Sequence, residues 1–257
     1  MTSRLLLVVS ALVILAIISG FTGYFIFTAE HDTTANVTKV IDGDTVEIGT
    51  GERVRLLGIN APETNEHYYK EAKEKLIRLV QGKDVVLKAG FQDKDLYGRL
   101  LRYIFVNGSF VNLEMVKGGY VTVYVIDPEE KYYLEFKKAE SDARSKMLGL
   151  WNASSFGSCI TLAELHYTGT EYAVFHNSCG YPIKMDKWEV KDEGTHIYVF
   201  GSFTLNTNSS VTLFIASGKD TSEKLYWNSK TTIWNNNGDT LFLRDDNGNL
   251  VLSYNYP

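Results

Sequence analysis

The sequence predicts a β-dominated protein with two folded regions, an α+β unit and then an all-β unit, behind an apolar N-terminal segment. Three observations carry this. Residues 5–29 contain no charged side chain. From about Ala35 to Trp151, short strand patterns alternate with helical ones. Beyond Asn152 helical periodicity disappears, and seven strand-like runs follow, separated by Gly, Asn, Asp and Ser. Hydrophobic residues make up 44% and charged residues 22%, an ordinary globular balance. The net charge of −5 argues against an extended polyanion-binding surface, but leaves room for a small site with a few arginines and a cation.

The first segment, "LLLVVSALVILAIISGFTGYFIFTA", is long enough to span a hydrocarbon core of about 30 Å. Arg4 before it stays inside, so the remainder is expected to be exported. The alternative is a signal cleaved near Ser19-Gly20, which also exports the remainder. Outside the cell, Cys159 and Cys179 can pair or stay as free thiols. Asn36, Asn107, Asn152 and Asn208 begin N-x-S/T triplets, a weak indication of the same location.

In the first region "NVTKVID", "DTVEI" and "RVRLLGI" read as strands, with turns at Asp42-Gly43 and Thr50-Gly51. Tyr69, Ala72, Leu76, Leu79 and Val80 form one helical stripe that Gly82 can end. "DVVLKA" and "RLLRYIFV" are strands, and "FVNLEMVKGGY" is a short helix. A longer helix starts near Pro128, with Tyr132, Phe136, Ala139, Ala143 and Met147 as its narrow apolar stripe and a mostly exposed surface. "NASSFGS", residues 152–159 with Cys159, is the expected linker. The strand spacing of the second region suggests a β-sandwich.

Chemistry concentrates in "VIDGDTVEIGTGERVRLLGINAPET". If the strands carrying Asp44 and Asn60 were antiparallel neighbours, Asp44, Asn60 and the Ala61 carbonyl would converge as hard oxygen ligands for Ca²⁺ or Mg²⁺. Glu63, past the rigid Pro62, is placed to hold or deprotonate a water. Arg55 and Arg99, the latter in "DLYGR", suit bidentate phosphate binding. Each has a plain alternative. Asp42 and Asp44 build a turn, Arg55 lies on a strand surface, Glu63 caps a helix, and Arg99 pairs with Asp95.

Taken in order, "VIDGDT", "RVRLLGINAPET", "DLYGR", "VNLEMVKGGYV" and "LGLW" resemble the thermonuclease family, the staphylococcal-nuclease-like domain. The resemblance implies an OB-type five-stranded barrel with helices. It further implies Ca²⁺-dependent hydrolysis of DNA and RNA to 3′-phosphate products. By position it places the metal-binding aspartate on Asp44, the carbonyl ligand on Ala61 and an acidic residue near the metal on Asp42. It places the phosphate arginines on Arg55 and Arg99, the general base on Glu63, and pocket tyrosines on Tyr97 and Tyr124. The chain departs at Asn60, where the family has a second carboxylate, and at Ile126, usually aromatic. Asn60 implies weaker or altered metal affinity.

"EYAVFHNSCGYPIKMDKWEV", "IWNNNGDTLFLRDDNGNLV" and the terminal "YNY" resemble a lamin-tail domain over residues 160–257, which implies an immunoglobulin-like β-sandwich. Trp188, Trp227 and Trp234 are then packing residues, and Asp239, Asp245 and Asp246 turn residues rather than Ca²⁺ ligands. The ligand of this domain is open. Of the histidines, His67 alone lies near the site, where a surface position at the helix start is the plainer reading. The expected function is a nuclease tethered through residues 5–29 and acting on DNA and RNA. The alternatives are a nuclease-fold binding module and an envelope or adhesion protein.

Overall fold

The computed structural model describes residues 32–124 and 131–256. The apolar segment, Ile126 and Pro128 lie outside these residues. Among the described residues no helix is long and apolar enough to cross a membrane.

The first region contains β1 (Thr33–Val40), β2 (Thr45–Ile48), β3 (Arg53–Leu56), β4 (Ile59–Asn60), α1 (Tyr69–Val80), β5 (Asp84–Lys94), β6 (Leu100–Val106), β7 (Ser109–Phe110), α2 (Val111–Lys117), β8 (Thr122–Val123) and α3 (Tyr133–Ser145). The sheet runs β3-β2-β1-β5-β6-β7, and β3 also pairs with β6 in parallel, which closes β1, β2, β3, β5 and β6 into a five-stranded barrel. Alternation along the strands puts Val37, Val46, Val54, Leu56 and Ile104 inside. Ala72, Leu76 and Val80 of α1 and Phe136 and Ala139 of α3 cover this core.

The stripe and the exposed surface expected of α3 are present, with departures at two residues. The helix stops at Ser145, so Met147 leaves the stripe with φ 53° and is 59% exposed. Glu140, on the face expected to be solvated, is buried and accepts the Val123 N–H at 2.9 Å. Arg144 and Lys137 approach its other oxygen at 3.4 and 3.6 Å. That carboxylate fixes β8, which pairs with β4 through Asn60 opposite Thr122.

The second region is β-rich: β9 (Ile160–His166), β10 (Tyr172–Asn177), β11 (Ile183–Lys184), β12 (Glu189–Lys191), β13 (Ile197–Val199), β14 (Thr204–Leu205), β15 (Ser210–Phe214), β16 (Lys224–Tyr226), β17 (Asp239–Arg244) and β18 (Leu250–Tyr256). Two four-stranded sheets, β16-β15-β10-β9 and β13-β12-β17-β18, share one apolar core. Trp188 and Trp234 are buried in it and Trp227 packs against it. Asp239 and Asp245 accept backbone N–H groups within their turns. Cys159 and Cys179 form a disulfide.

The two regions are packed together. Trp151 and Phe242 bury each other with Ala143 and Leu150, and the Arg144 guanidinium lies 4.0 Å from the Trp151 ring. Arg244 donates to the Leu150 and Gly248 carbonyls, and burial pulls its pKa down to about 10. The linker is ordered: Ser154 N–H donates to Leu250 O at 2.9 Å, and Leu250 N–H to Asn152 O at 2.7 Å.

The disulfide spans 20 residues. Replacing both cysteines by alanine is expected to remove about 3 kcal/mol from the second region. A lowered unfolding midpoint for its β-sheet signal in denaturant checks this.

Candidate active site

The site starts from a tight turn. Asp42 Oδ1 accepts the Asp44 N–H at 3.0 Å, which closes the Asp42-Gly43-Asp44 corner between β1 and β2. Gly43 has to be glycine here because a Cβ would lie 2.7 Å from the Ala61 Cβ and 2.8 Å from the Ala72 Cβ. This close approach sets Asp44 beside Ala61.

Asp44 is buried, and its carboxylate is held from three sides. Oδ2 accepts the Ala61 N–H at 2.7 Å, Thr45 Oγ1 donates to Oδ1 at 3.0 Å, and Arg55 Nε lies 3.1 Å from Oδ1. Burial raises the Asp44 pKa to about 6, the Arg55 charge opposes the rise, and Asp42 adds to it.

The antiparallel pairing of the Asp44 and Asn60 strands does not occur: β2 lies between β1 and β3, whereas β4 pairs with β8. The residues meet across the β3–β4 turn instead, and the Ala61 N–H is the group that reaches Asp44.

Arg55 is nearly spent within the protein. Nη1 donates to the Leu56 and Ile59 carbonyls at 2.6 and 2.7 Å, and Nη2 to Asn60 Oδ1 at 3.2 Å. Arg99 is freer: its Nε donates to Asp95 at 2.6 Å, and the side chain is 29% exposed. Asp95 also accepts the Tyr97 and Arg99 N–H groups, which shapes the "DLYGR" turn. Burial is the largest single influence on Asp95 and pushes its pKa up, but the hydrogen bonds from Arg99 and Tyr97 and the Arg99 charge together hold it below its usual value.

Asp42, Asp44, Arg55, Asn60, Glu63, Tyr97, Arg99 and Tyr124 all line one groove of about 1200 Å³. Glu63, Tyr97 and Tyr124 are exposed to it. Its opposite wall comes from the second region, at residues 192–196 and Thr232, Ile233 and Asn235. No sequence signal marked that wall. His196 on it is held by Asp192, Nδ1 to Oδ2 at 2.6 Å, and burial raises the Asp192 pKa. His67 does not line this groove; it is partly buried against the second region, with Nε2 3.6 Å from Glu189. Asn112 was also missed. It is fully buried, accepts the Ile104 N–H and donates to Leu57 O, tying α2 to the turn below the site.

The residues suit a hard cation. The buried Asp44 carboxylate feels the charge of the half-buried Asp42, and Asn60 adds an amide oxygen. Among the described residues no group of three or more His, Cys, Asp and Glu side chains gathers to hold a metal ion.

A closed five-stranded barrel, with carboxylates and arginines along one groove, places the first region among the OB-type barrels. Comparison with known proteins narrows this. The staphylococcal nuclease homologue model matches residues 53–153, and the Lamin Tail Domain model matches residues 152–257. A thermonuclease of Staphylococcus intermedius is 33% identical over 124 residues, 45% of this chain and 74% of that protein. The endonuclease YhcR of Bacillus subtilis is 35% identical over 144 residues, 48% of this chain and 12% of that protein. The prophage-derived endonuclease YokF, also of Bacillus subtilis, is 34% identical over 129 residues, 46% of this chain and 44% of that protein. The chain thus spans less than half the length of either Bacillus protein. It belongs to the staphylococcal nuclease homologue family, with a lamin-tail domain following.

The two arginines should differ in stability. Arg55→Ala strips a buried carboxylate of its cation and is expected to cost about 3 kcal/mol. Arg99→Ala, at a half-exposed pair, is expected to cost about 1 kcal/mol or less. Urea unfolding of both variants reads the difference.

Proposed function

We propose that the protein is an exported, membrane-tethered nuclease that hydrolyses DNA and RNA phosphodiesters in a Ca²⁺-dependent reaction and leaves 3′-phosphate ends. The observation that carries this is the shared groove, which gathers Glu63, Arg99 and Arg55 with the buried Asp44. The named nuclease relatives support it.

In this reading Glu63, exposed to the groove, takes a proton from the attacking water. The new oxygen–phosphorus bond forms as the bond to the 5′ oxygen breaks, and that oxygen leaves with a proton from solvent. Arg99 stabilises charge added to the phosphate. Arg55, whose donors are largely occupied, mainly holds Asp44 and Asn60 in place and offers its remaining capacity to the phosphate. Tyr97 and Tyr124 lie along the groove where a nucleotide would rest. Asp44, Asn60 and the backbone near Ala61, with Asp42 close by, would hold Ca²⁺. When bound, the ion supplies Lewis-acid polarisation of a phosphate oxygen.

Export is supported by the charge-free segment 5–29 and by the disulfide, which suits an oxidising compartment. The second domain is read as an immunoglobulin-like β-sandwich from its two sheets about one core. A binding-module reading is favoured only by the internal engagement of Arg55.

Cleavage of denatured DNA by the full chain, with Ca²⁺ or with chelator, is the test. Glu63→Gln is expected to lower the rate by roughly 10²-fold or more, and Arg99→Ala by a similar factor. Parent-like rates in both variants would reject the assignment. Asn60→Asp restores a carboxylate, so half-saturation by Ca²⁺ should fall by roughly tenfold. An unchanged titration midpoint would remove Asn60 from the site.

A further inference from the structure

The turn that carries Glu63 is held by the second domain. Glu63 N–H donates to Glu66 Oε2 at 3.1 Å, and Glu66 N–H returns to Glu63 O at 2.9 Å. The turn is thus closed through the Glu66 carboxylate. That carboxylate is gripped by Lys191 of β12, with Nζ 2.7 Å from Oε1 and 2.5 Å from Oε2. Both side chains are largely buried, at 16% and 11% exposure, so this pair is shielded from solvent screening.

Two further contacts fall on the same segment. Glu189, two residues along β12 and so on the same face as Lys191, faces His67. Gly248, with φ 76° in the β17–β18 turn, lies so close to His67 that a Cβ would come within 2.6 Å of it. The segment also needs restraint, because Asn65 and Tyr68 have φ of 79° and 72°. A left-handed tyrosine persists only where its surroundings over-determine it.

We infer that Lys191 is a positioning residue for hydrolysis: through Glu66 it fixes the turn that aims Glu63 into the groove. The inference rests on the nuclease reading above and extends it. The second domain then becomes part of the catalytic unit.

The test uses the full chain and a single-stranded oligonucleotide at saturating Ca²⁺. Lys191→Met is expected to lower kcat roughly 10- to 100-fold, the scale of a small misplacement of a reacting group, with KM within about twofold. Lys191→Arg should keep most of the activity. In a Glu63→Gln background, Lys191→Met should lower the residual rate no further, since the group it positions is already gone. If Lys191→Met does not fold, Glu66→Gln carries the same test, because it keeps an acceptor for Glu63 N–H and loses the ion pair. An unchanged kcat, a failure of arginine to rescue, or an equal loss in the Glu63→Gln background overturns the inference while leaving the nuclease reading intact. A parent chain that cleaves nothing overturns both.

Discussion

The groove depends on one buried carboxylate. Asp44 joins the end of the β1–β2 corner to β3 through Arg55 and to the segment after β4 through the Ala61 N–H. A charge out of water is tolerable only when its oxygens are satisfied, and all three contacts are needed for that. The same demand uses up Arg55, whose nitrogens reach Asp44, two carbonyls and Asn60. Pinning Asp44 therefore also pins the Leu56–Ala61 turn. The segment that follows that turn, Glu63 included, starts from a fixed point.

The second constraint is the contact between domains. An apolar patch of Trp151, Phe242, Leu150 and Ala143, with Arg144 over the indole, supplies the non-directional part. Lys191–Glu66 and Arg244 to the Leu150 carbonyl supply the directional part. Burial in this seam lowers the Arg244 pKa and raises that of Glu189. Because that seam lies beside the Asn60–His67 segment, the groove gains a wall that the barrel alone lacks.

Much of this architecture is legible in the sequence. Alternating Val and Leu fix which strand faces form the barrel core, and the Ala72–Leu76–Val80 stripe fixes how α1 docks. What period and motif could not give is the pairing of buried polar groups. Glu140 looks like any charge on an exposed helix face, and Asn112 like a turn former, yet each satisfies a backbone N–H that only the tertiary fold creates. Lys191 and the 192–196 loop are further from reach, since their relation to the groove exists only after the domains pack. Two readings that looked like rivals are compatible in space: Arg99 pairs with Asp95 and lines the groove, and Asp42-Gly43-Asp44 is a turn whose aspartates also line it.

The segment between the domains has a consequence for timing. Among the described residues, Asn152, Ala153 and Ser154 take their backbone partners in the second domain from Leu250, through paired hydrogen bonds and a bridge, while Cys159 O accepts the Ser178 N–H. During synthesis the barrel can form while these partners do not yet exist. The seam is complete only once β18 is laid down. A product ending before β12 would keep the barrel's own core, but it would lack the clasp and the wall opposite Glu63. The groove is thus completed only by residues made after the barrel.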